Sequence, residues 1–141
     1  MYLKEPFIIK GNSHSDSRGV LKFNNDFDLT RVKRVYSISN SQINNVRGWQ
    51  GHLIEKRWFM AVDGVFKINV AAIRDWPLIN RDQNPSSFTL ENNADVLYVP
   101  EGHVTRIEQV SIKGSLMVFA DYFLKEIDDE YRLELDYFSK S

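Results

Sequence analysis

Short runs of apolar or alternating residues, each stopped by turn-forming residues, recur along the whole chain. Pro6-Phe7-Ile8-Ile9-Lys10 reads as a strand ending at Gly11-Asn12-Ser13. Val20-Leu21-Lys22-Phe23 reads as another, closed by Asn24-Asn25-Asp26. Val32 to Ser39 alternates over part of its length before the polar stretch Asn40 to Asn45. Arg57 to Val62 leads into Asp63-Gly64, a turn pair that favours positive φ and predicts a hairpin with Val65 to Ala72 as its partner strand. In that partner Phe66, Ile68 and Val70 share one face, because side chains alternate along a strand. Asp75 to Ser87, with Pro77 and Pro85, reads as a loop or a long hairpin end. Phe88 to Leu90, Val96 to Val99, His103 to Val110 and Ser115 to Ala120 complete the predicted strands. Only Asp128 to Phe138 has helical spacing, with Tyr131, Leu135 and Phe138 at i, i+4 and i+7, and it predicts a short C-terminal helix. Many short strands at near-regular spacing predict an all-β sandwich or jelly-roll barrel, whose concave interior is the natural ligand site.

Length and composition narrow this picture. The 141 residues fit one domain spanning 1–141, with no linker or repeat to divide it. Nine Phe, six Tyr and three Trp favour pleated, half-buried surfaces and so reinforce the strand reading. A formal net charge of -1 creates no field that would favour nucleic acid or an anionic membrane, so neither is an expected partner. An anion site must instead be built from a few placed Arg or Lys residues. The absence of cysteine excludes a disulfide framework and a thiolate zinc site. No apolar run approaches the ~18 residues of a membrane helix, and Met1 to Lys10 lacks a signal-peptide core. The expectation is a soluble, cytoplasmic protein.

Two segments carry more than pattern. Arg47-Gly48-Trp49-Gln50-Gly51-His52, followed by Phe59 to Gly64, resembles the first cupin motif, in which a glycine precedes an H-x-H pair and a second glycine closes the next turn. Leu97-Tyr98-Val99-Pro100-Glu101-Gly102-His103 resembles the second cupin motif around its P-x-G turn. Upstream, Asp16-Ser17-Arg18-Gly19-Val20-Leu21 and Lys33-Arg34-Val35-Tyr36 narrow the resemblance to the sugar-nucleotide branch. That branch contains the dTDP-4-keto-6-deoxyglucose 3,4-ketoisomerases and the dTDP-4-dehydrorhamnose 3,5-epimerases. The resemblance runs from about Gly11 to Phe138 and implies a cupin barrel (a double-stranded β-helix). The expected ligand is a small nucleotide-sugar, used without cofactor or metal, in a homodimer that often exchanges N-terminal strands.

The departures bear on chemistry. Gln50 stands where the first motif histidine belongs, the motif glutamate falls near Arg57, and the downstream histidine falls at Thr105. One imidazole remains of four ligands, too few for a divalent ion. A metal-free isomerase needs a base beside a ketone-activated carbon and a donor for the oxyanion. The resemblance implies His52 as that base and Tyr36 as a proton relay. It implies ligand contacts from Arg18, Arg34, Arg47, Trp49, Gln50, Arg57 and Tyr98, with Arg47 suited to bidentate phosphate recognition. For each, a packing or surface role is the plain alternative. His14 reads as a turn residue, His103 as a variable turn position, and Asp128-Asp129-Glu130 as a solvated run at a helix start. The expected function is isomerisation or epimerisation of a nucleotide-linked 4-keto-6-deoxy sugar in bacterial polysaccharide synthesis. The alternative is a lapsed cupin that binds a sugar nucleotide or partner without turnover.

Overall fold

The computed structural model describes residues 4–42 and 45–138. Its strands are β1 (Phe7–Ile9), β2 (Asn12–Asp16), β3 (Gly19–Phe23), β4 (Arg34–Ile38), β5 (Val46–His52) and β6 (Arg57–Asp63). They continue as β7 (Phe66–Ala72), β8 (Ser86–Leu90), β9 (Val96–Val99), β10 (His103–Gln109), β11 (Ser115–Ala120) and β12 (Tyr131–Arg132). One antiparallel sheet runs β1-β9-β6-β11-β4, and a second runs β12-β5-β10-β7-β8. β2 and β3 form a separate hairpin whose residues are mostly exposed. This is the all-β cupin arrangement. Among the described residues there is no helix, so none is long and apolar enough to cross a membrane.

The core lies between the two sheets. Phe59 and Ala61 from β6, Leu97 from β9 and Val118 from β11 meet Phe66, Ile68 and Val70 from β7. The face predicted for β7 is therefore the buried one. Two further apolar clusters cover the outer faces: Trp49, Ala71, Val104 and Phe138 on the second sheet, and Phe27, Trp58 and Val96 on the first. With both faces of each sheet covered, the apolar patterning must be two-sided, which is why several strands read as continuous apolar runs.

Three sequence expectations are corrected. Asp63-Gly64 does turn the chain, with Gly64 at φ 74°, but β6 and β7 do not pair; the turn carries the chain from one sheet to the other. His14 lies on β2 opposite Leu21 and not in a turn. The C-terminal helix is absent. Tyr131 and Arg132 instead extend the second sheet by pairing with Gly51 and Gln50. Tertiary contacts override the helical spacing here: Tyr131 packs its ring on Trp76 at 4.7 Å, and Phe138 packs on Trp49 at 5.0 Å.

Gly51 lies where β5 meets β10, and a Cβ there would overlap the His103 carbonyl oxygen and lie 2.6 Å from the Val104 Cα. Gly51→Ala should destabilise the protein by about 1–3 kcal/mol, because backbone cannot yield as a side chain tip can. Thermal unfolding measures it, and an unchanged midpoint would refute the close approach.

Candidate active site

A cavity of about 710 Å³ opens between the sheets. Arg34 and Tyr36 reach it from β4, Gln50 and His52 from β5, Arg57 from β6, and His103 and Thr105 from β10. Strand alternation explains the selection: on β5, Gln50 and His52 face inward while Trp49 between them faces out. Arg47, Glu55, Glu130 and Arg132 add further charged groups to the lining.

His52 is the most constrained of these groups. Its Nδ1 lies 2.7 Å from the Asp129 carbonyl oxygen. A carbonyl only accepts, so Nδ1 carries the proton and donates it there. Nε2 is left with its lone pair, 3.5 Å from Glu55 Oε2. Burial pushes the His52 pKa below the usual imidazole value, and the Arg57 charge acts in the same direction against Glu55 and Asp129. The ring is thus held neutral, while a proton arriving at Nε2 would be met by a carboxylate.

Asp129 secures this geometry. Its carboxylate accepts from the backbone N–H groups of Leu53 at 2.9 Å, Ile54 at 2.9 Å and Glu55 at 2.8 Å. The run read as solvated charge therefore contains a buried anchor, because a tight turn after β5 presents three donors that need an acceptor.

Glu55 and Arg57 form a buried ion pair, with Arg57 Nη2 2.5 Å from Glu55 Oε2. Arg57 also donates through Nη1 to the Tyr36 hydroxyl. Two guanidinium groups lie near the Tyr36 ring, Arg34 at 5.1 Å and Arg57 at 5.6 Å from its centroid. Since its oxygen accepts from Arg57, the phenolic proton is available to a group in the cavity. Arg34 Nε is buried without a hydrogen-bond partner. Arg47 binds Asn40 Oδ1 through Nε at 2.9 Å and is exposed, leaving the rest of its fork toward the mouth.

The structure thus gathers Arg34, Tyr36, Arg47, Gln50, His52 and Arg57 about one space. It does not bring in three others. Trp49 is buried in the outer aromatic cluster and donates from Nε1 to the Leu135 carbonyl, so its ring is not free to stack on a ligand. Tyr98 faces outward against Phe7 and Trp58. Arg18 sits on the β2–β3 hairpin, 88% exposed and paired with Asp16 at 2.6 Å, which holds that carboxyl below its usual range.

Sequence reasoning missed Glu55, Asp129 and Glu130, and it set His103 aside. His103 stands directly across from His52 in the β5–β10 ladder. Its Nδ1 lies 3.1 Å from the Pro100 and Glu101 carbonyls, its Nε2 lies 3.5 Å from Arg74 Nη1, and burial pushes its pKa down. Among the described residues no three His, Cys, Asp or Glu side chains cluster as metal ligands.

Several solved structures share this architecture. A 3,4-ketoisomerase from Helicobacter canadensis is 20% identical, with a TM-score of 0.72 over 96% of each chain. A variant of the 3,4-ketoisomerase QdtA from Thermoanaerobacterium thermosaccharolyticum, solved with TDP-4-keto-6-deoxyglucose, is 20% identical with a TM-score of 0.71 over 97% of this chain and 94% of that one. The rmlC epimerase from Mycobacterium tuberculosis is 16% identical with a TM-score of 0.79, covering 100% of this chain and 76% of that one. At these identities the likeness is one of fold. No curated protein matches the sequence. The sequence itself matches the family described as WxcM-like, C-terminal (FdtA) over residues 5–141, and the chain belongs to that family.

Proposed function

We propose that this protein isomerises or epimerises a nucleotide-linked 4-keto-6-deoxy sugar by removing a proton from a carbon next to the ketone. One observation carries the reading: His52, whose Nδ1 proton is committed to the Asp129 carbonyl, lines the same cavity as Tyr36 and the guanidinium groups of Arg34 and Arg47. The family membership and the ligands named for similar folds agree with this ligand class.

His52 Nε2 is the base. The carbon-bound proton moves to it, the electron pair forms the carbon–carbon double bond of an enediolate, and the carbonyl electrons move to oxygen. Tyr36 donates to that oxygen, and Arg57 holds Tyr36 in place. Glu55 Oε2, 3.5 Å from Nε2, stabilises the imidazolium that forms by its charge. Arg34 and Arg47 take the diphosphate, whose oxygens match a planar fork. Gln50 offers an amide to the sugar. We also infer a homodimer formed through the N-terminal strands. Among the described residues β1 ends its sheet with an unpaired outer edge, and the β2–β3 hairpin holds Val20 and Leu21 in solvent; such edges invite pairing.

In deuterated water with dTDP-4-keto-6-deoxyglucose, the wild type should exchange the sugar proton at C3, followed by NMR. His52→Asn should slow that exchange by about 10²-fold or more, the usual scale of a general base. Binding of dTDP by calorimetry with no exchange on any of several nucleotide-sugars would select the lapsed, binding-only reading.

The working form of His52 is neutral, and its folded pKa is depressed, so acid removes activity only below the ordinary imidazole value of about 6.5. A rate that already falls between pH 8 and 7 would count against His52 as the base. Light scattering should give twice the 16.5 kDa of one chain, and a single-chain mass would refute the dimer.

A further inference from the structure

We propose that Glu130 is a second proton carrier of this site, the group that accepts a sugar hydroxyl proton when the carbonyl migrates from C4 to C3. The inference rests on the isomerase reading above and makes it more specific.

Moving a carbonyl to the neighbouring carbon is a harder task than exchanging one proton. A C–H proton must leave C3 and arrive at C4, and a hydroxyl proton must leave O3 as O4 gains one. His52 can serve the carbon atoms by taking the proton at C3 and returning it at C4. Tyr36 can give its proton to O4. A third group must take the proton from O3, and the cavity offers few.

Glu55 is committed to Arg57 at 2.5 Å and sits against His52. His103 spends its Nδ1 on backbone carbonyls and turns its Nε2 toward Arg74. Glu130 is different. It lines the cavity beside Arg132, and its Oε1 accepts a short hydrogen bond from the neutral amide of Gln50. Its contact with Arg132 Nη2 is a long 3.4 Å, between side chains 70% and 52% exposed. Its main partner is thus a neutral amide, whereas Glu55 is locked to a buried guanidinium.

Its placement is fixed from both sides. Asp129, one residue before, is anchored by three backbone N–H groups, and Tyr131, one residue after, pairs with Gly51. Alternation sends Tyr131 to the outer aromatic cluster and leaves Glu130 and Arg132 on the cavity side.

The step balances as follows. The O3–H bond breaks toward Glu130, its electrons form the C3 carbonyl, and the enediolate double bond takes the proton from the His52 imidazolium at C4. O4 keeps the proton given by Tyr36. Passing the proton from Glu130 back to the tyrosinate through water restores the starting state.

This assigns Glu130 to carbonyl migration but not to the first proton removal, and the two can be read separately. In E130Q, formation of the 3-keto product should fall about 10²-fold or more. Deuterium exchange at C3 and dTDP affinity should stay within a few-fold of wild type. The glutamine keeps the oxygen that Gln50 binds, so the strand is undisturbed.

Product formation within twofold of wild type, or a parallel loss of exchange and product, would overturn the proposal. Failure of E130Q to fold would assign Glu130 to the fold and overturn it as well. A wild type that exchanges at C3 but never moves the carbonyl would overturn this proposal alone. A wild type that exchanges nothing would overturn the isomerase reading and this one together.

Discussion

The acceptance of three backbone N–H groups by one carboxylate, Asp129, is the interaction on which the cavity depends. The turn after β5 leaves the amides of Leu53, Ile54 and Glu55 without strand partners, and burial makes unpaired donors costly. A single acceptor with two oxygens resolves all three. In doing so it brings its own carbonyl to His52 Nδ1, which selects the tautomer, and it delivers the next residue, Glu130, to the cavity wall. Backbone satisfaction and the orientation of the imidazole are thus one event.

The electrostatics of the cavity follow from its partition. Glu55 and Arg57 neutralise one another at the buried end, where an isolated charge would be expensive. Arg34, Arg47 and Arg132 also line the cavity, against one further carboxylate, Glu130. The molecule carries a formal net charge of -1, so this local excess of cations is placed and not a reflection of bulk composition. It gives the cavity one cationic end and leaves the imidazole at the other.

Much of the architecture was legible because two-sided burial leaves a direct trace. Phe66, Ile68 and Val70 alternate with partly buried or exposed residues, and all three lie in the inter-sheet core. The turn at Asp63-Gly64 was equally visible, but a turn dipeptide fixes a local reversal, not which sheet the next strand joins. Gln50 and His52 shared a face by period alone, and that face is the cavity's. Asp129 was illegible for a physical reason. Its partners lie 74 to 76 residues earlier, and a buried acceptor looks like any surface carboxylate until they are known. Trp49 was misplaced by reading a residue between two inward positions as though it too reached the mouth.

The β5–β12 pairing joins distant parts of the chain, and that gives the site a history as well as a geometry. At a synthesis rate of about 5–20 residues per second, the turn holding His52 emerges several seconds before Asp129 exists. Loop-closure entropy rises only slowly with length, so the long wait adds little to the cost of the final contact. It does fix an order. The barrel strands between β5 and β11 can pair while the imidazole is still free to rotate, and the tautomer is chosen only when the last segment docks. The finished geometry of the cavity is therefore a late arrival, acquired when a completed scaffold is closed by a two-residue strand.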